Sequence, residues 1–157
     1  MTREQKRLKV IQACIAHQQH IANVARQEMD SAQQQSNEYG ANVDRYDSYR
    51  TKMMRARDMY AKQLSNANAS LRYLHEALRL PPFSRAEHGA VVVTDKQQFF
   101  LSIGAGKFTV DDPASPTGMQ YCFAISAQTP IYLALKGKAV GDSFIINGIT
   151  HTIKEIF

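Results

Sequence analysis

The sequence predicts an α+β protein in two parts: an antiparallel helical coiled-coil hairpin over 1–80, then a small antiparallel β domain with one short helix over 81–157. Three observations predict it. Of the 8 glycines and 5 prolines in 157 residues, only Gly40 lies in the first eighty, so the helix breakers crowd into the second part. Apolar and small residues in the first part recur at alternating spacings of three and four, the period of a coiled-coil seam. The second part divides into short β-type runs separated by turn residues, and it closes on Asn147-Gly148.

The first seam is Leu8, Ile11, Ile15, Gln18, Ala22, Ala25, Met29 and Ala32, with Gln18 its one polar member. The second is Met53, Ala56, Tyr60, Leu64, Ala67, Leu71, Leu74 and Leu78. Between them, Ser36 to Asp47 loses the period and carries Gly40, which predicts the bend, with a tip near 37–47. Two helices of ~33 residues at ~1.5 Å per residue make a hairpin ~50 Å long. That is longer than a domain of the remaining size can cover, so much of the hairpin is expected to meet solvent or a partner. Alanine-rich seams let the helices approach closely but bury little area, so the leucines and Ile11/Ile15 are expected to carry most of the stability.

Pro81-Pro82 ends the second helix, because proline cannot continue the hydrogen-bond ladder. Ala90–Thr94 and Gln98–Ile103 flank Asp95-Lys96-Gln97 as a hairpin. Lys107–Val110 and Tyr121–Ser126 flank a Pro/Asp/Gly loop. Ile131–Lys136 reads as a short helix with Thr129 as N-cap, Pro130 at the first position and Gly137 as the stop. Ser143–Ile146 and Ile149–Ile156 flank Asn147-Gly148, the strongest two-residue hairpin signal.

Charge bears on partners. The first eighty residues hold 13 of the 19 Lys+Arg and 8 of the 14 Asp+Glu, and the remainder is balanced. Arg45, Arg50, Lys52 and Arg55 gather near the expected tip, either as an ordinary solvated coiled-coil face or as a surface facing nucleic-acid phosphate. No run approaches the ~18 apolar residues of a membrane span. The N-terminus lacks the pattern of a secretory signal. Cys14 and Cys122, one in each part, make no disulfide framework, so a cytoplasmic setting is expected. Cys14, His17 and His20 are spaced at three, but on a helix Cys14 and His20 lie ~240° apart, so they do not converge on a metal. Gly104-Ala105-Gly106-Lys107 lacks the spacing of a phosphate loop.

The stretch Ala127-Gln128-Thr129-Pro130-Ile131-Tyr132-Leu133-Ala134-Leu135-Lys136-Gly137-Lys138-Ala139-Val140-Gly141-Asp142, with the closing His151–Ile156, resembles the C-terminal domain of the GreA/GreB transcript-cleavage factors. The likeness covers roughly Phe99–Phe157; over 1–80 it is one of pattern, a long helical hairpin ahead of that domain. The resemblance implies an FKBP-like fold for 81–157 and a bacterial, cytoplasmic, monomeric elongation factor that regulates transcription on DNA-bound RNA polymerase. In that family the globular domain grips the polymerase at its secondary channel. The coiled coil enters the channel and brings tip carboxylates to the active site and the nascent RNA 3′ end. Those carboxylates help hold a Mg²⁺ shared with the polymerase, which then cleaves backtracked RNA itself; the factor alone is no enzyme and binds no cofactor stably.

Residue by residue, the family's tip has Asp-x-x-Glu just after a glycine, and this chain has Gly40 and then Asp44 and Asp47, with Glu38 as a further acid across the turn. The glycine stands three residues further away, and the second acid is one methylene shorter. The same pair also reads as a helix-start signal at the positive end of the dipole. The family's Asp-Ser-Pro turn, which touches the polymerase, corresponds to Gln128, Thr129 and Pro130, with the charge lost at Gln128. Three other readings stay open: a channel binder that modulates or inhibits polymerase without cleavage, an FKBP-like prolyl isomerase with aromatics such as Phe99, Phe123 and Tyr132, and a basic coiled-coil nucleic-acid binder.

Overall fold

A computed structural model describes residues 1–38 and 47–157, the side chain of Asp47 excepted. The elements run α1 (Arg3–Glu38), α2 (Asp47–Ala77), β1 (Val91–Thr94), β2 (Gln98–Ser102), β3 (Gly106–Asp111), β4 (Met119–Ser126), α3 (Pro130–Leu135), β5 (Ser143–Ile146) and β6 (Ile149–Ile156). No helix among the described residues is long and apolar enough to cross a membrane. The chain forms two compact units. One is His17–Tyr73; the other joins Met1–Ala16 to Leu74–Phe157. Composition changes near residue 80, but the compact units divide within the helices.

In the unit His17–Tyr73, α1 and α2 run antiparallel. Arg57 Nη1 on α2 donates to Gln33 Oε1 on α1 at 2.6 Å, and the Tyr49 hydroxyl donates to Gln35 Oε1 at 3.2 Å. The buried positions of α1 here are Gln18, Ala22, Ala25, Ala32 and Ser36, and those of α2 are Ala67 and Leu71. Met29, Met53, Ala56, Tyr60 and Leu64, expected in the seams, are half-buried. A single helical partner covers a side chain from one side only, so these positions stay partly open to water.

In the other unit, six strands form one sheet in the order β3-β4-β2-β1-β6-β5. All neighbours are antiparallel except β2 and β4, which run parallel with Phe99 opposite Phe123. The expectation of an all-antiparallel sheet is corrected to a mixed one. After β2 the chain passes over the β4 position in three residues, Ile103 to Ala105. It returns through the β3–β4 hairpin, so β4 lies beside β2 in the same direction. The other local expectations hold. Thr129 caps α3, with Pro130 in its first turn and Gly137 just beyond its end at φ +80°. Asn147 and Gly148 join β5 to β6 at φ +51° and +78°, the left-handed pair that a tight hairpin turn requires.

Strand alternation gives the sheet two buried faces. On one, Val92, Phe99, Leu101, Ile125, Phe144 and Ile153 pack against Tyr132 and Leu135 of α3. On the same side the buried His151 ring stacks on Phe144 at 5.2 Å between centroids. The other face carries Val91 and Phe100, which are register partners, and likewise Phe108 and Cys122. The first turns of α1 and the last turns of α2 supply its covering, with Val10, Ile11, Cys14 and Leu74 buried. Burial at the start of α1 is therefore offset from the expected seam: Arg7 is 2 % exposed and Leu8 40 %. The sheet, not α2 alone, decides which side of these turns is inward.

Candidate functional site

The acids assigned to the tip fall mostly beyond what is described. Asp44 and Arg45, with Tyr39, Gly40 and Tyr46, lie outside the described residues, as does the side chain of Asp47, the first residue of α2. Glu38 is the last residue of α1, and its Oε1 accepts from Gln34 Nε2 at 3.3 Å. Its exposed carboxylate is a hard oxygen ligand of the kind Mg²⁺ takes. Among the described residues no group of three or more His, Cys, Asp and Glu is placed to hold a metal ion. Cys14 is buried and His20 exposed.

The basic residues of α2 behave differently from one another. Arg50, Lys52 and Arg55 are exposed. Arg57, seven residues after Arg50, is turned to structural work: besides its bond to Gln33 it pairs with Asp58 at 2.7 Å. The cationic surface of α2 that an anion can reach among the described residues is thus narrower than the run of charges suggests.

The turn before α3 is built as its sequence predicts. The Thr129 hydroxyl donates to the Ser126 carbonyl at 2.9 Å and accepts from the Tyr132 N–H at 3.3 Å, with Thr129 itself extended at φ −86°, ψ 151°. That ties β4 to α3 through one side chain. Gln128 and Pro130 are left exposed, and Leu133 one turn on is 68 % exposed. The result is a short polar turn with an apolar neighbour, held rigid from beneath by Tyr132 and Leu135. Such a turn can make directional contacts at little entropic cost, because its backbone is already ordered.

Two placements are not readable from spacing. Cys14 and Cys122, far apart in the chain, belong to the same unit and both are fully buried. Burial pushes the Cys14 thiol up to about 12; Cys122 is raised further, first by burial and then by the nearby Cys14. Neither is therefore a reactive thiol at neutral pH. Arg7 donates to the carbonyls of Gly89 and Ala77, at 2.6 and 3.1 Å, and its guanidinium stands 5.1 Å from the centre of the Phe83 ring. Its only sequence signal is its place one heptad before Cys14. Comparison of the chain with family models, with curated proteins and with solved structures finds no match.

Proposed function

We propose that this chain is a bacterial RNA polymerase-binding elongation factor of the Gre type. The antiparallel α1/α2 pair enters the polymerase secondary channel, and the sheet unit, in an FKBP-like arrangement, docks at the channel rim through Gln128, Thr129 and Pro130. The observation that carries the reading is the rigid exposed turn before α3. It has Thr129 as cap, Pro130 in the first turn of α3 and Gly137 just past its end, in a chain that also has the antiparallel helical pair. Asp44 and Asp47, with Glu38 beside them, add carboxylate oxygens at the polymerase active site and orient the attacking water. Mg²⁺ held there with the polymerase supplies charge stabilisation on the attacking and leaving oxygens. The chain contributes position and ligands, so it is not an enzyme by itself and is expected to work in the cytoplasm as a monomer.

The test is direct. Purified protein is added with Mg²⁺ to a stalled, backtracked transcription complex, and short 3′ RNA fragments are followed. Fragment release that disappears in Asp44→Ala and Asp47→Ala is the expected result. Release unaffected by both substitutions removes the tip assignment. Binding and inhibition without fragments identifies a channel occupant that does not promote cleavage. Failure to associate with polymerase at all overturns the proposal.

A further inference from the structure

The sheet ends on β3 at one edge and on β5 at the other. β3 is six residues long with no proline, and one continuous register pairs it with β4, from Gly106 opposite Ala124 to Asp111 opposite Met119. One step further along that register, the Asp112 N–H donates to the Gly118 carbonyl at 2.9 Å. Residues of an antiparallel strand turn their backbone groups alternately toward the partner strand and away from it, so the even positions of β3 face β4. Lys107, Thr109 and Asp111 therefore direct their N–H and C=O groups outward, and all three are exposed. Natural edges are commonly blunted by a bulge, a proline or an outstretched lysine. This edge has no bulge or proline, and the Lys107 ammonium lies back over the Tyr121 ring, 3.7 Å from its centre.

The strand Gly106-Lys107-Phe108-Thr109-Val110-Asp111 is also complementary to itself about Thr109. Laid antiparallel on a second copy with the two threonines opposite, each Lys107 stands across from an Asp111, and each Phe108 from a Val110. Opposed residues share a face, so the charged pairs fall on the face of Tyr121 and Met119, which are 54 % and 47 % exposed. The Phe108 and Val110 pairs fall on the other face, where both residues are already buried. This centre sets outward backbone groups against outward ones. A shift of one residue sets them against groups turned to β4, and a shift of two separates Lys107 from Asp111. The opposite edge, Ser143-Phe144-Ile145-Ile146, carries no charge to match.

We propose that the free protein forms a twofold-symmetric dimer through this edge, the β3 strands of two copies joining antiparallel about Thr109 into one continuous sheet. About six backbone hydrogen bonds close the edge, two for each outward-facing pair. Lys107 turns from the Tyr121 ring to Asp111 of the second copy, twice by symmetry, and the two Tyr121 side chains flank the threonine pair. The same edge is used on both copies, so association closes at two. An edge of this length buries less than the ~1,200 Å² of a stable interface, so the dimer is reversible, with a dissociation constant on the order of 10–100 µM. It is a property of the chain off polymerase, where the Gre-type reading places a single copy in the channel, and neither inference rests on the other.

Sedimentation velocity on the full chain, from about 10 µM to about 1 mM, is expected to show a passage from monomer to dimer and no further. Thr109→Cys tests the register. Opposed hydrogen-bonded residues hold their Cα atoms ~5.5 Å apart, within the ~4.4–6.8 Å that a disulfide spans, so oxidised glutathione should convert this variant to a covalent dimer. Lys107→Cys should not cross-link, because its two copies stand ~14 Å apart along the strands. Cys14 and Cys122 are buried and do not compete. Asp111→Lys sets like charges opposite each other in both pairs and should weaken the dimer at least about fivefold, and adding Lys107→Asp should restore it. Thr109→Pro removes an N–H that faces away from β4, so the melting temperature should hold while the dimer is lost. The charge exchange leaves the backbone untouched and decides the matter should the proline variant fail to fold. A chain that stays monomeric to about 1 mM, equal cross-linking at 107 and 109, a charge exchange that restores nothing, a dimer that survives Thr109→Pro, or growth beyond two copies overturns the proposal.

Discussion

The Arg7 guanidinium reaches across 82 positions of sequence to the Gly89 carbonyl, at 2.6 Å, from a buried site. Its second nitrogen donates to the carbonyl of Ala77, the last residue of α2. One side chain thereby joins the first turns of α1, the end of α2 and the approach to β1. The cation also sits at the negative end of the α2 dipole, where positive charge is favoured.

Arg7→Ala is expected to lower the unfolding free energy by about 3 kcal/mol, because it takes a charged donor from the buried Gly89 carbonyl and leaves that of Ala77 only the Leu80 N–H. Arg7→Lys should recover less than half, since an ammonium cannot reproduce the planar fork. Urea denaturation of the three proteins checks both. A loss under about 0.5 kcal/mol in Arg7→Ala, the level of an ordinary surface change, contradicts the role given to this residue.

Gly89 has φ +103°, and a Cβ there would meet the Phe83 ring at 3.2 Å. Gly89→Ala is therefore expected to cost about 1–3 kcal/mol from backbone strain and crowding together. Gly106, also left-handed but with open space around it, isolates the backbone part. Gly106→Ala should cost less than Gly89→Ala in the same thermal melt.

The buried thiols make stability fall in alkali. The folded state holds the Cys14 proton up to about 12 against an ordinary value of 9.0. Between these values the unfolded chain releases a proton that the folded chain keeps, so the stabilisation is complete below pH 9 and drains away as pH rises towards 12. The slope is about 1.4 kcal/mol per pH unit for each such thiol. Cys14→Ala should flatten the fall in unfolding free energy above pH 9; an unchanged slope relative to wild type refutes it. For the same reason a disulfide-exchange reagent at pH 8 should label both cysteines fast in urea and very slowly in the folded protein.

Removing the Thr129 hydroxyl breaks its bonds to both β4 and α3. Thr129→Ala is expected to cost about 1 kcal/mol in stability, the usual loss of a helix cap. Thr129→Ser should restore it.

Placing an acid at position 128 bears on the polymerase proposal. Gln128 is exposed, so Gln128→Asp should leave the fold intact while tightening polymerase binding by about threefold, the scale of one exposed ion pair. The gain should vanish at high salt. Unchanged affinity at low salt removes this turn from the docking surface.

Local features were legible because their causes are local. Thr129-Pro130 sets a helix start through one hydroxyl and one fixed φ, and Asn147-Gly148 sets a hairpin because both residues accept positive φ. The same holds for Asp95-Lys96-Gln97, where the Thr94 hydroxyl accepts from the N–H groups of Lys96 and Gln97 and the Thr94 N–H donates to the Gln97 carbonyl. The long seams of α1 and α2 announced a helical pair through their period, although not which side of the first turns faces inward. The acids Asp44 and Asp47, expected at the tip, were read only from their spacing, and their side chains lie outside the described residues.

By itself, then, the amino-acid order determined the helices, their antiparallel pairing, the hairpins and the capped turn before α3, because each follows from spacing, backbone preference or chain reversal within a few residues. Tertiary structure alone decided that β4 runs parallel to β2, that Arg7 and not Leu8 is buried, and that Cys14 and Cys122 are neighbours. Each of these joins residues tens of positions apart. Only the free energy of covering the second sheet face selects such contacts, and periodicity along the chain carries no record of which distant element does the covering.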